Sequence, residues 1–249
     1  MYIIWTAGFF YKDWIWKFYP KNLSWSKWLE YYAQYFNGLE VNSSFYRLPS
    51  KSTINGFNKI DLSYIFKMYR LFTHFKKYDD KLLIKFLEIL SPLKDSWKLK
   101  WFLFQFSAKA NKDQVFDCLN FVRQKEKDLY FFVELRNLDL VYEFQKQEII
   151  EKFKNLKVSL VYVDGIFRKN EIIYDWQDLG FKKCYFRFHW RWQKLYDYLY
   201  SEKELREFAE KIKEICVLKE ECYLFFNNTV KAQAIENALY IKDLLLWEN

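Results

Sequence analysis

The sequence predicts an α/β fold, a single TIM-like (β/α)8 barrel domain over residues 1–249. Eight short apolar runs recur along the chain, and most are separated by a segment of helical periodicity, the alternation such a barrel requires. The runs are near-continuous in their apolar character rather than alternating, as parallel strands covered on both faces should be. Nearly every run also ends in a polar or ionisable side chain, and in this fold class ligands sit beyond that end of the strands.

Taken in order, Tyr2 to Thr6 is the first strand, and Ala7 to Trp14 an aromatic loop. Ser24 is placed to cap a helix reaching about Phe36, with Trp28, Leu29, Tyr32 and Phe36 at helical spacing. Gly38 to Val41 is the second strand, followed by a weaker helix from about Ser52 to Lys59. Tyr64 to Tyr69 is the third strand, and Asp79 begins a helix to about Ser91, with Leu82, Leu83, Phe86, Leu87 and Leu90 as its stripe. Lys100 to Phe106 is the fourth, with Asn111 opening the helix after it, and Tyr130 to Leu135 is the fifth. A helix from Gln147 to Phe153 leads into Val158 to Val163, which ends at Asp164 and is followed by an irregular segment. Cys184 to Phe188 is the seventh strand, Ser201 with Glu204 forms a capping box for a helix to Cys216, and Cys222 to Phe226 is the eighth. A last helix runs from about Val230 to Leu245.

Composition narrows the function classes. Half the chain is apolar and 23% is aromatic, so many rings must fill the core or line a cleft. Five Gly and three Pro leave little material for flexible linkers. The formal charge of +8 admits a polyanionic partner, yet Lys alternates with Glu, as in Lys203, Glu204, Arg206 and Glu207, the pattern of a solvated helix face. No apolar span of membrane length and no signal-peptide pattern occurs, so a cytoplasmic protein without a membrane partner is expected. Cys118, Cys184, Cys216 and Cys222 have no C-x-x-C spacing and no partnered His, which predicts separate buried thiols and no disulfide.

The densest polar stretch follows the second strand, where Glu40, Asn42, Ser43, Ser44, Tyr46 and Arg47 come almost without spacers. With the other strand ends it yields the candidate site. Glu40, Glu134, Asp164 and His189 are the proton-transfer candidates. Asn42, Tyr46, Lys67, Gln105, Arg136, Arg187, Asn227 and Asn228 are the ligand-binding candidates. In a barrel such positions converge at one mouth, and ionisable groups inside apolar strands are costly to bury singly. Nucleotide-binding glycine loops, the G-x-S-x-G elbow and the H-E-x-x-H zinc motif are all absent. No cofactor is predicted. A divalent metal held by Glu134, Asp164 and His189 is the alternative, opposed by the nearby cations Lys67, Arg136 and Arg187. Those same cations suit a small anionic ligand, since Arg grips phosphate or carboxylate with two parallel hydrogen bonds.

These residues also carry a family likeness. Thr6-Ala7-Gly8-Phe9, Tyr11-Lys12-Asp13-Trp14, Glu40 to Pro49, Thr73-His74, Val133-Glu134-Leu135-Arg136, Arg187-Phe188-His189 and Phe226-Asn227-Asn228 stand in an order that resembles the domain of unknown function 72, or YecE-like, family. The resemblance runs nearly end to end. It implies a TIM-barrel fold and, through a suggested relationship to barrels of the endonuclease IV and xylose isomerase type, phosphate-ester or nucleic-acid chemistry by analogy. Trp190, Thr229 and Phe9 depart from the family pattern, which usually has Gly, Asp and Trp there. The leading expectation is an enzyme doing acid–base chemistry on a small phosphorylated or sugar-like anion. Its rivals are a nucleic-acid-binding or nuclease-like protein and a non-catalytic ligand-binding module.

Overall fold

The computed structural model describes residues 2–165, 176–191 and 195–246. In chain order the elements are β1 (Tyr2–Thr6), α1 (Trp28–Tyr32), β2 (Gly38–Val41), α2 (Lys51–Asn58), β3 (Ser63–Lys67), α3 (Arg70–Thr73), α4 (Asp80–Asp95), β4 (Leu99–Gln105) and α5 (Lys112–Lys125). They continue with β5 (Tyr130–Glu134), α6 (Leu138–Phe144), α7 (Gln147–Asn155), β6 (Val158–Leu160), β7 (Tyr162–Asp164), β8 (Lys183–Phe188), α8 (Glu202–Cys216), β9 (Glu221–Phe226) and α9 (Gln233–Leu246). The fold is α/β. Its strands form a four-stranded sheet ordered β1-β9-β8-β7 and a five-stranded sheet ordered β2-β3-β4-β5-β6. The β1–β9, β8–β9 and β7–β8 pairs are parallel, as are β3–β4, β4–β5 and β5–β6.

Two compact units result, one from residues 1–39 and 161–249, the other from residues 40–160. In the first, the Trp5 ring lies 4.8 Å from that of Phe225, and Phe188 stacks on Phe226 at 4.5 Å. A Cβ at Gly38 would fall 1.5 Å from the Trp5 ring, so only glycine leaves room for that indole. Burying such rings contributes most of the core's drive. In the second unit, Phe104 and Phe131 sit 4.8 Å apart, and Phe57 lies flat on Tyr64 at 5.0 Å. Below the sheet, the Arg123 guanidinium rests 3.7 Å over Phe131 and donates to the carbonyls of Glu126, Leu129 and Leu156.

Several sequence-based bounds change. The expected sixth strand is two, β6 and β7, interrupted at Val161 and belonging to different sheets. The irregular stretch expected after Asp164 falls largely on residues 166–175, outside the described residues. The helix expected to end at about Ser91 runs through Pro92 to Asp95. Proline cannot donate to the Glu88 carbonyl, but the Ser91 hydroxyl does so at 3.0 Å, and the turn survives. Ser24 caps only a 3-10 turn, Trp25–Lys27, without a side-chain bond to the backbone. The Ser201–Glu204 capping box is present in full.

The cysteine expectation is corrected. Cys216 closes α8, Cys222 lies in β9, and the tight connection between them brings the two together as a disulfide. Cys118 and Cys184 are buried thiols, and burial pushes that of Cys184 up to about 12. Among the described residues no helix is long and apolar enough to cross a membrane.

Candidate functional site

In the second unit, parallel pairing sets Gln105 directly beside Glu134 at the C-terminal ends of β4 and β5. Lys67 ends β3, and its ammonium donates to the Gln105 carbonyl oxygen at 2.9 Å. Arg136 donates to the same oxygen at 3.1 Å and forms an ion pair with the fully buried Glu134. One amide oxygen thus holds two cations side by side, and a carboxylate fixes the second. These are charge-assisted bonds, stronger than neutral ones.

The stretch after β2 builds one flank. Asn42–Phe45 forms a 3-10 turn, and Ser44 donates to the carbonyls of both Val41 and Lys67, tying this turn to the end of β3. The tie sets the Phe45 ring 4.2 Å from the Lys67 ammonium and 4.9 Å, edge to face, from the His74 imidazole. Glu40 is fully buried within β2, Asn42 is half-buried, and Tyr46 is 60% exposed with Arg70 5.8 Å from its ring.

His74 was not among the site residues expected from sequence. It shares a hydrogen bond of 2.9 Å with the Thr73 hydroxyl through Nδ1. Burial holds its pKa below the usual imidazole value, and the positive charges of Lys67, Arg136 and Arg70 lower it further. Three cations therefore act on one uncharged ring. The signal in the sequence was position: His74 follows Lys67 within the same strand-to-helix connection.

The first unit treats its strand ends differently. Asp164, at the end of β7, accepts from Arg191 through both oxygens, at 2.8 and 2.6 Å, and from the Tyr200 hydroxyl at 2.6 Å. Arg191 also reaches Glu204 at 2.7 Å, where Tyr198 donates as well. Burial works against the Arg191 charge, but Asp164 more than offsets it and the guanidinium is held more firmly protonated. Burial and then the Asp164 charge raise the Tyr200 phenol well above its ordinary value. This network engages both Asp164 oxygens, and Arg191 was the partner that sequence reading missed.

His189 and Asn227 are paired. The Asn227 amide donates to His189 Nδ1 at 3.0 Å, which assigns the ring proton to Nε2. Asn228 instead donates to the Tyr198 carbonyl at 2.7 Å and to Asn237 at 2.8 Å. Asn237 in turn bridges both backbone groups of Tyr200, so Asn228 belongs to the loop's scaffold. Arg187 lies within β8 and is 1% exposed. The sequence-derived candidates thus fall into a set of Glu40, Asn42, Tyr46, Lys67, Gln105, Glu134 and Arg136 in one unit, and Asp164, Arg187, His189, Asn227 and Asn228 in the other.

Of the suggested metal ligands, Glu134 is held by Arg136, Asp164 by Arg191 and Tyr200, and His189 by Asn227. Among the described residues, the group with metal-ligand spacing lies elsewhere, at Cys184, Cys216 and Cys222.

An α/β protein with parallel sheets and charged side chains at its strand ends defines a broad class. Within it, a family model described as protein of unknown function DUF72 matches residues 3–249, and the chain belongs to that family. It is similar to a DUF72 family protein from Thermotoga maritima, with a TM-score of 0.83, 30% identity, and coverage of 98% of this chain and 99% of the other. A DUF72 family protein from Enterococcus faecalis aligns with a TM-score of 0.80 at 24% identity, covering 98% of this chain and 95% of its own. A second structure of a DUF72 family protein from Enterococcus faecalis gives 0.76 at 27% identity, covering 89% and 94%. Comparison with curated proteins gave no match.

Proposed function

We propose that this chain is a TIM-like enzyme that binds a small phosphorylated or sugar-like anion at the ends of β3, β4 and β5 and acts on it by acid–base chemistry. The observation that carries the reading is the pair of cations, Lys67 and Arg136, held on one Gln105 oxygen near the half-buried His74 ring. Lys67 and Arg136, already side by side on the Gln105 oxygen, are the anion's donors. Arg136 supplies a planar fork and Lys67 a point charge, a pairing suited to phosphate. Glu134 aims the guanidinium and is the nearest carboxylate to take a proton. His74, uncharged at neutral pH, accepts a proton once an anion offsets the surrounding positive field. Glu40 lies in the adjoining strand as the second carboxylate.

The reading is tested by NMR of the His74 ring during titration with inorganic phosphate and with ribose 5-phosphate. The expected result is saturable shifts and a raised His74 pKa, both lost in Lys67→Met. No shift at millimolar ligand, or an equal shift in Lys67→Met, overturns it.

A second reading rests on exposed rings in the first unit. Phe10 and Trp25 are half exposed and stand edge to face at 6.0 Å, with the Lys12 ammonium 5.0 Å over Trp25. Rings beside an ammonium are a stacking platform for single-stranded nucleic acid. Oligonucleotide binding that weakens steeply with salt and is lost in Trp25→Ala would favour this alternative.

A further inference from the structure

Away from the strand ends that carry the acid–base candidates, three sulfurs meet in the first unit. Cys184 and Cys222 are register partners on the neighbouring strands β8 and β9, at the second and second residues of each. Cys216 is the last residue of α8 and returns to them through the short connection to β9. The three Sγ atoms all lie within 4.8 Å of one another. Cys184 and Cys222 are each 1% exposed and Cys216 is 8% exposed, so the cluster is dry. No feature of the candidate anion site uses them.

The spacing suits metal ligation. A metal–sulfur bond of about 2.3 Å separates the sulfurs of a trigonal or tetrahedral thiolate site by roughly 4 Å. Thiolate sulfur is a soft donor that selects Cu(I) and Zn(II) over hard cations. The connection also holds the Lys219 ammonium, its side chain only 6% exposed and paired with both oxygens of Asp178 at 2.7 and 2.8 Å. The Lys219 backbone N–H donates to the Cys216 carbonyl at 3.1 Å, which places this charge in the turn that leaves the cysteine.

We propose that Cys184, Cys216 and Cys222 form a binding site for a thiophilic d10 metal ion, closed in the state described by the Cys216–Cys222 bond and opened by its reduction. A dithiol supplies two electrons and two protons. The Sγ–Sγ bond breaks, both cysteines become thiols, and the dithiol closes to its own disulfide. Binding then exchanges the three S–H protons for one ion. Three sulfurs complete the shell of Cu(I), whereas Zn(II) needs a fourth donor to reach its usual tetrahedral coordination.

The test uses the full chain, reduced with dithiothreitol, freed of it under anaerobic conditions, and offered Cu(I) or Zn(II) against a chromophoric chelator. Native mass spectrometry reads the bound ion and the protons lost. Expected is one ion per reduced chain, with three protons released and none bound by the oxidised chain. Cys184→Ser, nearly isosteric, should lose the ion while keeping its circular dichroism spectrum. Should that variant fail to fold, ion-dependent protection of all three thiols from alkylation in the unmodified chain decides the matter. Failure of the reduced chain to retain either ion overturns the proposal, as does equal retention by folded Cys184→Ser or by the oxidised chain.

Discussion

The ends of β7 and β5 solve the same problem in opposite ways. Each carries a buried carboxylate at the C-terminal end of a parallel strand, Asp164 in one case and Glu134 in the other. Around Asp164 the protein gathers one guanidinium, two phenols and a second carboxylate, so a single cation stands between two acids and the hydroxyls complete the hydrogen bonding. Around Glu134 it gathers Arg136 and Lys67 on a shared amide oxygen, with Arg70 and His74 alongside. Hydrogen bonds saturate the first carboxylate; an excess of positive charge surrounds the second. The type of side chain at a strand end therefore says less about its role than the sign of what surrounds it.

The largest effect expected is at Asp164. Changing it to Asn leaves Arg191 with Glu204 as its remaining counter-charge and should cost about 3 kcal/mol, read as a shift of the denaturant midpoint. A loss near zero would reopen Asp164 as a proton carrier. Next is Asn237→Ala, which strips partners from Tyr200 and Asn228 and should cost about 1–3 kcal/mol for the buried groups left unpaired.

At the contrasting strand end, Lys67→Met removes the ammonium that faces the Phe45 ring and should change stability by only about 1 kcal/mol while abolishing phosphate binding. A large stability loss without loss of binding would make the two regions alike. The smallest effect is pH dependence at His74. Its folded pKa lies below the unfolded value, so the unfolded state binds more protons in that interval. Stability is then flat above the ordinary imidazole range and falls as pH drops from there through the depressed folded value. His74→Gln should flatten that slope.

Much of the fold was legible because fully covered parallel strands declare themselves. Gly38–Val41 has the expected bounds, and β1, β5 and β9 lie within a residue of theirs. Local chemistry read equally well where one side chain closed one turn, as at Ser201. It failed where a neighbour supplied what the sequence lacked, as when Ser91 compensates for Pro92. Helices α3 and α6 escaped notice because four and seven residues give periodicity too little length to appear. Lys67, Gln105, Glu134 and Arg136 were found because each ends a strand. His74 and Arg191 were missed because they lie on connections, where no periodicity marks which way a side chain turns. The cysteine cluster was illegible for another reason: adjacency of β8 and β9 is a matter of register, and spacing along the chain does not encode it.

The pairing of β1 with β9 also has a consequence for how the chain comes into being. Residues 2–6 are synthesised well before their hydrogen-bonding partners, residues 222–226. At translation rates of about 5–20 residues per second, roughly ten to forty seconds separate the two. Throughout that interval Trp5 and its neighbours await the strand that will cover them, while the contiguous stretch 40–160 has all its own strands in hand. A nascent-chain chaperone would therefore find a long-lived target in the β1 segment around Trp5.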